Sequence, residues 1–187
     1  MIAYLHGFNS SAQSHKAQLL GRFLQEQGLG AEYACPDLPP RAAEAIGAIE
    51  KLRLDRRACL VGSSLGGYYA TYLAEKHRCR AVLINPAIDP HLGLRTYLGP
   101  QQNLHTGEPY ELTEAYLRDW EKLYVRRLTP ARYLLLVETG DEVLDYRRAV
   151  ERYAGAEQVV VDGGDHSLQS FPRQLPRILE FSRANPV

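Results

Sequence analysis

Cysteine is scarce in this chain of 187 residues, with Cys35, Cys59 and Cys79 making an odd number and no CxxC pair among them. That pattern excludes a disulfide framework and argues against redox or zinc work; small buried thiols are the expectation. Charge of one sign is missing too. Twenty-two basic residues balance twenty-two acidic ones, so no global field draws nucleic acid or an anionic membrane. No apolar run approaches the roughly 20 residues that span a bilayer. Met1 leads directly into "IAYLHGF" without a basic leader or a small-residue cleavage site, and the expectation is a cytoplasmic protein without stable membrane insertion. The six histidines show no H-E-x-x-H or equivalent spacing, so neither a metal nor an organic cofactor is expected. Internal repeats, low-complexity tracts and Gly/Ser linkers are likewise missing. The expectation is one domain over residues 1–187.

What is present is an alternation of short apolar runs with segments of helical period. "IAYLHGF", "AEYACPDL", "ACLVG", "RAVLINPA", "RYLLLVETGDE" and "EQVVVDGGDHS" read as six strands. Between them, Ala17, Leu20 and Leu24, then Ala45, Ile46, Ile49 and Leu52, then Tyr146, Ala149, Val150 and Tyr153 fall at helical spacing, and a last helix begins near Pro172. Consecutive parallel strands need crossovers, and strands buried on both faces need not alternate. The predicted fold is therefore α/β: a mainly parallel sheet of about six strands flanked by helices. Residues 89–129 are longer than an ordinary crossover. They read as a short helical insertion, a candidate lid, with Leu112, Tyr116, Trp120, Leu123 and Tyr124 as an apolar stripe. Such a stripe packs on a core or walls a pocket; Tyr116, Trp120 and Tyr124 are the candidate substrate-binding residues.

The junction "ACLVGSSLGGYYATYLAEK" joins a strand to a helix through small residues. It lacks the third glycine of a dinucleotide loop, because Ser64 stands there, and it lacks the Gly-Lys-Ser/Thr of a P-loop. It fits G-x-S-x-G as Gly62-Ser63-Ser64-Leu65-Gly66, in which the central serine sits on a tight strand-to-helix turn. A serine hydroxyl attacks only when a base takes its proton and a third group orients the base. His166, after the last strand in "VVVDGGDHS", is the candidate base, and Asp141, after the preceding strand in "LLLVETGDEVLD", the candidate acid. The chain order Ser64, Asp141, His166 is that of an α/β hydrolase. Glu142, Asp145, Asp162 and Asp165 are rival carboxylates, with Asp145 also a candidate helix cap. The backbone N–H groups of Phe8 and Leu65 are the expected oxyanion donors, and His6 is expected to orient its loop.

The stretches "YLHGFNSS", "VGSSLGGYYAT", "TGDEVLDYR" and "GGDHS" together resemble the YqiA-type esterases of the α/β-hydrolase superfamily. The resemblance spans nearly the whole chain. It implies a reduced hydrolase fold beginning at the His-Gly strand, with Ser64 as nucleophile, Asp141 as acid and His166 as base. The expected activity is hydrolysis of a small-molecule acyl ester through an acyl-enzyme. The alternatives are a thioesterase acting on acyl-CoA or a related thioester, a small amide or peptide hydrolase, and, in another class, a non-catalytic interaction protein on a hydrolase fold.

Overall fold

The computed structural model describes residues 1–185; the last two positions of the expected 1–187 span lie outside the described residues. Six strands form one parallel sheet: β1 (Ile2–Leu5), β2 (Tyr33–Ala34), β3 (Cys59–Ser63), β4 (Arg80–Ile84), β7 (Tyr133–Glu138) and β8 (Glu157–Val161). Their order is β2-β1-β3-β4-β7-β8. The register pairs Leu5 with Gly62, Ser63 with Ile84, and Glu138 with Val161, so the carboxyl ends of the strands lie along one edge. This is where ligands meet an open α/β sheet.

The helices cover both faces because each central strand is buried on both. On one face α1 (His15–Glu26) and α7 (Phe171–Arg183) pack Leu20, Leu24, Phe171 and Ile178 over Tyr4, Val61, Val82 and Leu136. On the other, α2 (Ala42–Glu50), α3 (Leu65–His77) and α6 (Tyr146–Arg152) pack Ile49, Tyr69, Leu73 and Ala149 over Leu5, Leu60, Leu83 and Leu135. Each such buried aliphatic side chain contributes about 1.5–3 kcal/mol.

Two elements depart from the sequence reading. The second strand shrinks to two residues on the sheet edge, since Pro36, Pro39 and Pro40 supply no ladder N–H beyond it. The insertion is only partly helical. Between α4 (Pro90–Gly93) and α5 (Glu114–Glu121), strands β5 (Gly99–Gln102) and β6 (Pro109–Leu112) form an antiparallel hairpin. The three cysteines are free, and burial pushes the Cys59 thiol up to about 12 and the Cys79 thiol up to about 11. No described helix is long and apolar enough to cross a membrane.

Candidate active site

Ser64 stands where β3 ends and α3 begins, with φ 54° and ψ −119°. A serine rarely occupies positive φ, and such strain persists only when the surroundings over-determine it. Here they do. Its N–H donates to the Ile84 carbonyl at 3.0 Å, and its own carbonyl accepts the N–H groups of Gly67 at 2.9 Å and Ala87 at 3.0 Å. The flanking glycines are needed sterically: a Cβ at Gly62 would overlap the Gly66 carbonyl, one at Gly66 would overlap the Leu5 carbonyl, and one at Gly67 would lie 2.7 Å from Pro86 Cβ.

His166 and Asp141 meet across the loops that follow β8 and β7. The imidazole Nδ1 lies 2.8 Å from Asp141 Oδ2 and 3.0 Å from Oδ1. The Asp141 side chain is 1% exposed, and Oδ1 also accepts the N–H groups of Val143 at 2.9 Å and Leu144 at 2.8 Å. Burial raises the Asp141 pKa, but the His166 hydrogen bond and those two amides outweigh it, and the net shift is downward. The carboxylate therefore stays ionised beside the ring. Among the described residues no hydrogen bond joins Ser64 Oγ to the His166 ring; both line one cleft of about 740 Å³.

The rival carboxylates have other partners. Asp145 caps α6 through the Arg147 N–H at 3.0 Å, and Asp162 accepts the Thr139 hydroxyl at 2.9 Å. Asp165 accepts the Ser167 N–H at 2.8 Å, and Glu142 accepts the His166 N–H at 3.0 Å.

Gly7 packs against Ser64, since a Cβ there would lie 3.2 Å from Ser64 Cβ. Phe8 and Leu65 line the same cleft, and neither backbone N–H has an acceptor among the described residues. His6 is 3% exposed. Its Nε2 accepts the Leu38 N–H at 3.0 Å and its Nδ1 donates to the Gly7 carbonyl at 3.0 Å. Burial lowers its pKa, so it is a neutral tie between loops, as the expected orienting role requires.

The rest of the cleft is mixed in polarity. Ile88, Leu94, Tyr97, Leu104, Val143 and Leu144 give the cleft its apolar lining, and Ser10, Ser14, Lys16, Asp89, Asp145 and Arg148 line it as well. Lys16 donates to the Ser167 carbonyl at 2.8 Å; burial lowers its pKa against the opposing pull of Asp165, Asp141 and Glu138. None of the three expected substrate-binding aromatics lines this cleft. Trp120 is fully buried and donates its indole N–H to Tyr69 Oη at 2.7 Å. Tyr116 stacks on Tyr110 behind it, and Tyr124 borders a separate hollow with Asp89, His91 and Glu121. Helical spacing does not name the neighbour a stripe meets: α5 ends at Glu121, Trp120 meets the core, and Tyr124, beyond the helix, is 40% exposed. Among the described residues no group of three or more His, Cys, Asp or Glu is placed to hold a metal ion.

The family profile described as "Uncharacterised protein family (UPF0227)" matches residues 1–183. The chain belongs to UPF0227. A curated UPF0227 member, protein PC1_2487 of Pectobacterium carotovorum subsp. carotovorum (strain PC1), is 27% identical over 190 residues, covering 97% of this chain and 98% of its own. Among solved structures, mouse alpha/beta hydrolase domain-containing protein 10 superposes with a TM-score of 0.71 at 16% identity, covering 96% of this chain and 87% of the other. The esterase domain of a Rhodothermus marinus protein gives 0.68 at 19% identity, covering 97% and 85%. At these identities the likeness shows the α/β-hydrolase fold. The UPF0227 match agrees with the YqiA-type resemblance carried by the sequence motifs.

Two residues of this UPF0227 site escaped the sequence reading. Asn85, 2% exposed with φ 38°, and Glu138, 1% exposed, lie beneath the His166 loop. Glu138 accepts the N–H groups of Asp165 at 2.9 Å, Gln169 at 2.9 Å and Ser170 at 2.7 Å. Their signal in the sequence was faint: Glu138 closes the apolar run of β7, and Asn85 directly follows the apolar run of β4.

Proposed function

We propose that the protein is a serine hydrolase that cleaves acyl esters. The observation that carries this reading is the convergence of three chain-distant features on one cleft: a strained serine, an Asp–His pair and two unpartnered amides. A fold without catalytic use has no reason to maintain a serine at positive φ on the same cleft as a histidine hydrogen-bonded to a buried aspartate.

In this mechanism the Ser64 hydroxyl attacks the ester carbonyl as His166 takes its proton. Asp141 holds the ring through Nδ1 and stabilises the imidazolium that forms. The oxyanion is held by the Phe8 and Leu65 amides, a contribution worth about 10²–10³ in rate for each donor. His166 returns the proton to the departing alcohol, then activates a water that releases the acid from the acyl-enzyme. The acyl group lies along Ile88, Leu94, Tyr97 and Leu104, which supply the apolar wall of the cleft.

The test is a panel of p-nitrophenyl esters and matched acyl thioesters, with Ser64→Ala as blank. Ester turnover well above the blank, and lowered about 10⁴-fold by Asp141→Asn, supports the reading. Turnover no faster than the blank on every substrate overturns it, and turnover of thioesters alone changes the bond that is cleaved.

A further inference from the structure

The loop that carries Phe8 is fastened to the insertion. Asn9 Nδ2 donates to Gln101 Oε1 at 3.0 Å, and Asn9 Oδ1 accepts the Tyr110 hydroxyl at 2.5 Å. The Asn9 carbonyl accepts the Leu104 N–H at 2.9 Å, and the Ser10 carbonyl accepts Asn103 Nδ2 at 2.8 Å. These four bonds join two consecutive peptides to both strands and the turn of the β5–β6 hairpin. The Phe8 ring is caught as well, edge-on between Tyr97 at 6.1 Å and Trp120 at 6.4 Å.

The hairpin needs these contacts as much as the loop does. A two-stranded ribbon of four-residue strands is marginal alone, and Pro100 and Pro109 remove two donors from it. Its turn is tightened by Asn103, whose Oδ1 accepts the N–H groups of His105 at 2.9 Å and Thr106 at 3.0 Å. Gln101 is itself held, donating to the Tyr97 carbonyl at 2.7 Å. Swinging the hairpin away as a lid would break all four bonds to Asn9 and Ser10 together.

We propose that the hairpin is a fixed strut rather than a lid, and that Asn9 and Tyr110 are positioning residues that set the Phe8 amide for the oxyanion. Asn9 sits at φ 53°, a conformation asparagine tolerates better than most side chains, and its side chain faces the hairpin with both its donor and its acceptor in use. The proposal rests on the esterase reading, in which the Phe8 N–H stabilises charge developing on the substrate.

The test compares Asn9→Gly, which keeps the positive φ and deletes both side-chain bonds, with Tyr110→Phe, which deletes one. For a p-nitrophenyl ester, Asn9→Gly is expected to lower kcat by about 10- to 100-fold with KM nearly unchanged, because an ångström of misplacement costs that order in rate. Tyr110→Phe moves the same way by less. Affinity for a boronic acid that mimics the tetrahedral adduct falls in step with kcat/KM, a change that lost folding stability alone does not produce. Should Asn9→Gly fail to fold, Tyr110→Phe decides. Wild-type kcat and boronate affinity in the folded variants, or a loss confined to KM, overturns the strut. A wild type no faster than Ser64→Ala removes the esterase reading, and the strut with it.

Discussion

Asn85 donates its side-chain amide to the carbonyl oxygen of His166 at 3.2 Å and to that of Asp165 at 3.1 Å. Its own side-chain oxygen accepts the Glu138 N–H at 3.2 Å. One buried amide thus ties the ends of β4 and β7 to the loop that carries the candidate base. Asn85→Leu has similar volume but leaves those buried groups unpaired, and its φ of 38° strains a leucine. The expected loss is at least about 2 kcal/mol of stability, read as a lowered denaturant midpoint at unchanged m-value.

Glu138 supports the same loop by charge. Burial raises its pKa, but hydrogen bonds from Ser170, Asp165 and Gln169 outweigh this and the net shift is downward. A carboxyl whose folded pKa is depressed contributes stability above its unfolded value, about 4.3, and loses it as pH falls through the folded value. Glu138→Gln is therefore expected to lower the thermal midpoint at neutral pH, and the gap to wild type should narrow on acidification below about pH 4.3. A gap independent of pH would mean that shape, not charge, holds the loop.

Two helical glycines differ sharply in what surrounds them. Gly66→Ala drives a methyl into the Leu5 carbonyl, with an expected loss of about 3 kcal/mol or more. Gly47 lies in the exposed interior of α2 with nothing within 4 Å of an added Cβ, so Gly47→Ala is expected to stabilise by about 0.5–1 kcal/mol. Chemical denaturation of the two variants reads both signs.

The strands were legible where the apolar runs are long enough to be buried on both faces, as in Cys59–Ser63 and Tyr133–Glu138. The strand-to-helix turn at Ser64 was legible because Gly62, Ser64 and Gly66 obey a steric rule local to five residues. The β5–β6 hairpin was not, since "GPQQNLHTGEPYEL" has no strand-like alternation and draws its order from Asn9 and Ser10, some ninety residues away in sequence. Asn85 and Glu138 were barely legible for the same reason: their partners are backbone groups on a distant loop, which a polar residue at a strand end does not name.

For Trp120, whose spacing left core and pocket wall both open, burial decides for the core. Trp120→Ala empties a fully buried site and orphans the Tyr69 hydroxyl, so it should cost about 3–5 kcal/mol of stability without selectively changing acyl preference. Leu104, 82% exposed on the cleft wall, is the better specificity position. Leu104→Ser should lower kcat/KM progressively along a series of longer acyl esters while leaving the shortest ester nearly unaffected, and a uniform drop would remove Leu104 from the acyl path.

The central claim is that Ser64 attacks carbonyl carbon with the help of His166 and Asp141, and the most direct measurement is intact-protein mass followed by peptide mapping after treatment with a fluorophosphonate. The expected result is one adduct per chain, on Ser64, formed much more slowly in Asp141→Asn and absent from Ser64→Ala. An adduct on Ser63 with Ser64 untouched, or no adduct on a folded wild-type protein, would contradict the account.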